Sequence, residues 1–218
     1  LQKLFIVHYN LLFILEYCPY AFQTSLISCD EMINAVLSLS SEQFSSHCIT
    51  EMPNEDLYTL YNVLDIGFKV LEHLAEKADY KDKIAFTTQQ RSLCCRSLFE
   101  RVLDKLFITE QVDKEILGLF SNSYTLFERC SLKFIAPLHA ALNSVLRPYK
   151  QSLTNQAYYK KISMMIEMAI LHSQGPLLQG LGLFFFDFDL PALPDETWKR
   201  SEKFVRSRLS THQDNAIV

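Results

Sequence analysis

Hydrophobic residues recur at steps of three and four along most of the chain, which is the spacing of one face of an α-helix. The clearest stripe comprises Leu57, Leu60, Tyr61, Leu64, Phe68, Leu71 and Ala75. Asn54 precedes it as a capping residue, and Glu55 and Asp56 suit the positive end of a helix dipole, so we expect a helix to start there. Gly67 lies inside this stripe and costs the helix stability without breaking it.

The same spacing predicts further helices along the rest of the chain. They are expected over residues 1–18, 28–39, 88–107, 109–120, two stretches between 122 and 149, 155–173 and 195–209. Pro19 stops the first helix, Pro137 divides the two stretches, and Arg147-Pro148 ends the second of them. Thr109 is the expected cap of the helix that follows it. The apolar face expected for residues 88–107 comprises Leu93, Cys95, Leu98, Phe99, Val102, Leu103 and Leu106.

No convincing run of period-two alternation and no Asn-Gly or Asp-Gly hairpin signal occurs in the sequence. The pattern therefore predicts an all-α fold, either a multi-helix bundle or a short α-solenoid of the HEAT or armadillo kind, with roughly eight or nine antiparallel helices. We expect a single all-helical domain over residues 1–209, a segment of a longer protein, with a flexible polar tail over 210–218. Long amphipathic helices rich in Leu, Phe and Tyr resemble the helical-repeat scaffold segments of large eukaryotic proteins.

Composition narrows the class of protein. Of 218 residues, 49% are hydrophobic, and there are only 5 Gly and 7 Pro, which excludes a disordered or collagen-like chain. The net charge of −4 excludes a uniformly basic nucleic-acid binder, but it conceals an asymmetry. Residues 1–86 hold 5 Lys/Arg against 12 Asp/Glu, whereas residues 87–218 hold 16 against 13.

Cysteine usage and hydropathy bear on the compartment. The six cysteines form no Cys-x-x-Cys pair and lie in apolar-periodic segments, where a free cysteine acts as a small buried hydrophobe. We therefore expect an intracellular protein, cytoplasmic or nuclear. The apolar segment 4–15 is interrupted by His8, Tyr9 and Asn10 and is shorter than the roughly 20 residues that span a bilayer, so no membrane insertion is expected.

Motifs that carry chemistry do not occur in the sequence. It contains no phosphate-binding glycine loop, no His-Glu-x-x-His and no Gly-x-Ser-x-Gly. His47-Cys48 has no further ligand at metal spacing, and Asp187 and Asp189 are better explained as turn or cap residues than as a cation site. We assign no catalytic residue, no metal and no cofactor, although a Cys–His pair that meets only in space stays open.

Two candidate surfaces lie near the C-terminal end. A basic helical face comprises Lys199, Arg200, Lys203, Arg206 and Arg208, and an adjacent apolar segment comprises Leu183, Phe184, Phe185, Phe186 and Phe188. The basic face suits an acidic or amphipathic protein segment, or it is an ordinary solvated face. The apolar segment either contacts a partner or fills the core.

These observations predict a non-catalytic helical scaffold that binds other proteins through the two C-terminal surfaces. Two alternatives remain: a nucleic-acid-associated scaffold that uses the basic face, and an enzyme whose site is assembled from dispersed His, Cys and Asp residues.

Overall fold

The computed structural model describes residues 1–18, 33–34, 49, 52–75, 81–112, 114–130, 135–152, 155–172, 174, 176–178, 199 and 203. All regular structure in these residues is helical, and none of them lies in a strand. The predicted all-α class is therefore confirmed for the part of the chain that is described.

The described helices are α1 (Gln2–Tyr17), a 3-10 turn (Asn54–Asp56), α2 (Leu57–Leu74), α3 (Lys81–Ile108), α4 (Lys114–Cys130), α5 (Ile135–Ser152) and α6 (Asn155–Leu171). Helix α1 packs against α2, α5 packs against α6, and packed helices run antiparallel. The first helix, expected over residues 1–18, is observed as Gln2–Tyr17. The helix expected to start after Asn54 begins at Leu57, because residues 54–56 form a 3-10 turn.

Two predicted caps are wrong, because each side chain has another partner. Asn54 makes no capping bond and instead accepts a hydrogen bond from the Arg101 guanidinium at 3.5 Å. The Thr109 hydroxyl donates to the Lys105 carbonyl at 2.8 Å, so it completes the end of α3 and does not start the next helix.

Other helix limits also differ from the prediction. Helix α3 begins at Lys81, earlier than expected, and α4 runs through residue 122 as one helix to Cys130. Pro137 lies in the first turn of α5, where proline is tolerated, but Pro148 lies inside α5 and does not end it. Leu93 was expected on the buried face of α3 and is 58% exposed; the other six residues of that face are buried.

The chain divides into two compact units. The first comprises Leu1–Val102 and Asn122–Leu132, and the second comprises Leu103–Ser121 and Lys133–Val218. Helices α3 and α4 each contribute residues to both units. The single domain expected from the sequence stays a prediction.

Aromatic side chains fill the centre of the first unit. Phe99 of α3 packs edge-on against Tyr124 of α4 with ring centroids 6.1 Å apart, and its ring is tilted against Phe127 at 5.6 Å. All three are buried, and such aromatic pairs add about 0.5–1.5 kcal/mol beyond the area that they bury.

At the surface, Arg129 of α4 pairs with Asp65 and Glu72 of α2, at 3.3 and 3.6 Å.

A buried lysine completes the second unit. The last carbonyls of an α-helix lack hydrogen-bond donors within the helix. At the end of α3, Lys161 of α6 is the donor. Its ammonium donates to the Leu106 carbonyl at 2.7 Å, to the Phe107 carbonyl at 2.8 Å and to the Thr109 carbonyl. Burial, and then the charge of Lys160, lowers the pKa of Lys161. The positive charge at the negative end of the α3 dipole ties α6 to α3.

Replacing Lys161 by Met should therefore lower the free energy of unfolding by about 2–3 kcal/mol, because the α3 carbonyls lose charged hydrogen bonds in a dry environment. Lys160→Met removes the adjacent, exposed ammonium and should change stability by less than about 0.5 kcal/mol. Urea unfolding of both variants measures the difference. Equal losses in the two variants would contradict the role given to Lys161.

Candidate functional site

Three helices of the first unit meet at His8 of α1, Gly67 of α2 and Arg91 of α3. The Arg91 guanidinium donates through Nη2 to Nε2 of His8 at 3.1 Å. Because that nitrogen accepts, Nδ1 carries the proton and donates to the Leu4 carbonyl at 2.7 Å. His8 is fully buried and Arg91 is 3% exposed, so both groups are held in a dry part of the core.

Gly67 supplies the space that the guanidinium occupies. A Cβ atom at this position would collide with the Arg91 guanidinium and lie 3.2 Å from Cδ2 of His8. Only glycine lets the α2 backbone approach the two polar groups so closely. The mid-helix glycine therefore has a packing reason.

Burial governs the charge of this cluster. It lowers the pKa of His8 to about 4; the positive charge of Arg91 acts in the same direction, while the Leu4 carbonyl opposes them. Burial also lowers the pKa of Arg91, to about 10. At neutral pH the imidazole is therefore neutral and the guanidinium charged, which is the combination that their hydrogen bond requires.

Thiols lie beside the same arginine. Cys94 and Cys95 are buried in α3, and burial raises the pKa of Cys94 to about 11 and that of Cys95 well above its ordinary value. The Arg91 charge opposes both shifts without overcoming them. Both thiols are therefore protonated at neutral pH, the form that reacts more slowly with soluble electrophiles than the thiolate does.

The opposite side of α1 presents apolar side chains to solvent. Ile6, Tyr9, Phe13 and Tyr17 are 55%, 53%, 49% and 70% exposed. Their spacing of three, four and four places them on one helical face, and the rings of Phe13 and Tyr17 lie 5.0 Å apart. We call these four residues the α1 face.

Polar residues border the α1 face. At 100° per residue, exposed Lys3 and Asn10 lie along one edge of the stripe, and exposed Glu16 lies along the other. Lys3 is near the start of α1 and Glu16 near its end. An apolar centre with a polar margin is the composition of a protein–protein contact surface.

Hydrophobicity alone does not decide how α1 is rotated about its own axis, because the helix carries apolar side chains on both sides. Its buried side holds Leu11, Leu12 and Leu15 against α2 and includes His8 as the one buried polar residue of the helix. A helix turned the other way would leave His8 in solvent and Arg91 without this acceptor. The His8–Arg91 hydrogen bond therefore selects which side of α1 faces outward.

The candidate residues at the C-terminal end lie mostly beyond what the structure describes. Lys199 and Lys203 are described, helical and exposed, as a basic face requires. The other members of the two surfaces lie outside the described residues: Arg200, Arg206, Arg208, Leu183, Phe184, Phe185, Phe186 and Phe188. His47, Cys48, Asp187 and Asp189 also lie outside them. Both surfaces stay predictions.

Two other histidines of the described residues, His73 and His139, have polar neighbours. His73 lies 3.8 Å from Glu16, and His139 contacts Asn143 at 3.2 Å beside a shallow depression formed by the side chains of α5 alone. Within the described ranges no three His, Cys, Asp or Glu residues are placed to share a metal ion. None of the helices described has the length and apolar character needed to cross a bilayer.

Comparison with known proteins gives no relative: no family model, no curated protein and no solved structure matches the chain. Sequence reasoning missed Arg91 altogether and noted His8 only as an interruption of an apolar run. The one available signal was Gly67, a glycine in the middle of a strong helical stripe.

Replacing glycine by alanine inside a helix usually stabilises the helix. At Gly67 we expect the opposite, because the Arg91 guanidinium lies where the Cβ would be. Gly67→Ala should lower the free energy of unfolding by about 1–3 kcal/mol, because the new Cβ would force the buried Arg91 guanidinium out of its position beside His8. Gly118→Ala in α4 meets no atom within 4 Å and should raise it by up to about 1 kcal/mol. Thermal and urea unfolding report the sign, and a stabilising Gly67→Ala would refute the close approach.

The low pKa of His8 makes stability depend on pH. The unfolded chain binds a proton near pH 6.5 and the folded chain only near pH 4, so stability falls as the pH is lowered between these values and rises as it is raised. The loss from this group is about 3 kcal/mol. Relative to wild type, His8→Gln should flatten the dependence between pH 5 and 6.5 in urea unfolding. An unchanged slope in His8→Gln would contradict a neutral buried His8.

Proposed function

We propose that this chain is a non-catalytic helical interaction module, a multi-helix bundle or short α-solenoid, that binds an apolar-faced helix of a partner protein across the α1 face. The observation that carries the proposal is the exposure of Ile6, Tyr9, Phe13 and Tyr17 in one continuous stripe. A helix that is hydrophobic all round is normally covered on both sides, and α2 covers only one side of α1.

Charge at the edges of the stripe defines the chemistry of the partner. Lys3 favours an acidic residue opposite the start of α1, and Glu16 favours a basic residue opposite its end. Tyr and Phe side chains give large contact area for little loss of side-chain entropy, and they dominate binding energy in many interfaces. The partner is therefore an amphipathic helix with an apolar stripe and oppositely charged ends.

The predicted basic face is a second contact in this proposal. Exposed Lys199 and Lys203 lie four residues apart, so they share one side of a helix and attract acidic groups. No observation on the described residues favours the nucleic-acid or enzymatic alternative over this one.

Photo-crosslinking tests the α1 face. The full chain, carrying a benzophenone amino acid in place of Phe13, is irradiated in its native cell and the crosslinked peptide is mapped by mass spectrometry. We expect the adduct to map to an apolar-faced helix. Ile6→Glu should lower its yield about tenfold or more, since a charge in the apolar stripe and the loss of an apolar contact there cost roughly 2 kcal/mol.

The control is Phe86→Glu, which changes an isolated exposed aromatic residue of α3 and should leave the adduct unchanged. Circular dichroism should show no loss of helix in either Glu variant, because both positions are exposed. The proposal fails if the adduct is absent, if it maps to an acidic loop without apolar residues, or if Phe86→Glu lowers its yield as much as Ile6→Glu.

A further inference from the structure

Two thiols of the first unit lie close together on different helices. The Sγ atoms of Cys95 in α3 and Cys130 in α4 are 4.0 Å apart, although the residues are 35 positions apart in sequence. Cys95 is completely buried and Cys130 is partly exposed. The pair thus combines a cysteine that is partly exposed with one that is completely buried.

The surroundings hold the second sulfur within reach of the first. Cys130 is the last residue of α4, and the preceding Arg129 is paired with Asp65 and Glu72 of α2. A disulfide bond requires the sulfurs to come from 4.0 Å to about 2.0 Å, which side-chain rotation and a small shift of a helix end can supply. Cys94 is adjacent in sequence but points about 100° away on α3.

We propose that Cys95 and Cys130 form a reversible disulfide when a hydroperoxide oxidises the chain, so that α3 and α4 become covalently joined. Cys130 is the thiol that meets the oxidant, and Cys95 is the resolving thiol that completes the bond. Pairs of this kind, in which one accessible thiol is poised next to another, are typical of redox-sensing cysteines.

The reaction balances with hydrogen peroxide as the oxidant. The Cys130 sulfur attacks one peroxide oxygen, the O–O bond breaks, and the thiol proton leaves with the second oxygen as water, which gives the sulfenic acid. The Cys95 sulfur then attacks the sulfenic sulfur, the S–O bond breaks, and the hydroxyl leaves with the Cys95 proton as a second water. Two thiols lose two electrons in total, and the peroxide gains them.

Burial assigns the order of the two steps. Cys95 is out of reach of solvent, and its raised pKa keeps it as the thiol, so it does not react first with a soluble oxidant. Once Cys130 carries a hydroxyl leaving group, Cys95 needs only to reach a neighbouring sulfur. A dithiol reductant reverses the bond by attack on the partly exposed Cys130 sulfur.

The test treats the reduced, folded full-length chain with hydrogen peroxide, blocks free thiols with N-ethylmaleimide, and maps peptides without reduction. We expect the loss of two free thiols, a peptide that links residues 95 and 130, and recovery of both thiols after dithiothreitol. Because Cys94 and Cys95 are adjacent, the Cys94→Ser variant gives the unambiguous map and should show the same link.

Matched variants separate the two roles. Cys95→Ala should leave Cys130 as a sulfenic acid that dimedone traps or as the over-oxidised sulfinic acid, and Cys130→Ser should leave Cys95 as a free thiol. Cys18→Ser, which removes the partly exposed cysteine that follows α1, should not change the link. If a variant misfolds, the peptide map of the oxidised wild-type chain still shows whether Cys95 and Cys130 are linked. Linkage of Cys130 to any other cysteine, or over-oxidised Cys130 beside a free Cys95 in wild type, overturns the proposal.

Discussion

The hydrogen bond from Arg91 to His8 is the constraint on which the arrangement of the first unit depends. Apolar packing pulls α1 onto α2 but does not distinguish its two apolar sides, so a polar contact decides the rotation. Losing the contact is costly because both groups are buried, and the guanidinium fits where Gly67 leaves room. A single hydrogen bond thus determines which side chains of α1 face solvent.

The same principle operates differently in the second unit. There Lys161 bonds to carbonyls at the end of α3, so a charge fixes where α6 lies along that helix. Among the described residues, each unit therefore buries a cation, Arg91 or Lys161, that bonds to a neighbouring helix. A buried cation without hydrogen-bond acceptors costs much free energy. Alternative packings that leave the cation without acceptors are therefore unfavourable.

Sequence periodicity was sufficient for the fold class and for helices with one clear stripe, such as α2. It failed where a side chain serves a distant partner: Thr109 completes α3, and Asn54 bonds to Arg101. The His8–Arg91 contact spans 83 positions, so no local pattern reveals it. The α1 face was missed for a related reason, because a helix that is apolar on both sides does not show in its sequence which side is buried.

Hydroxyl-radical footprinting of the His8→Leu/Arg91→Leu double variant tests the central claim most directly. Replacing both polar partners by apolar groups removes the rotational constraint without leaving a buried charge. The account predicts that, relative to wild type, oxidation of Tyr9 and Phe13 falls and that of Leu11 and Leu12 rises, as α1 samples both rotations. An unchanged oxidation pattern in a folded double variant would show that the His8–Arg91 hydrogen bond does not orient α1.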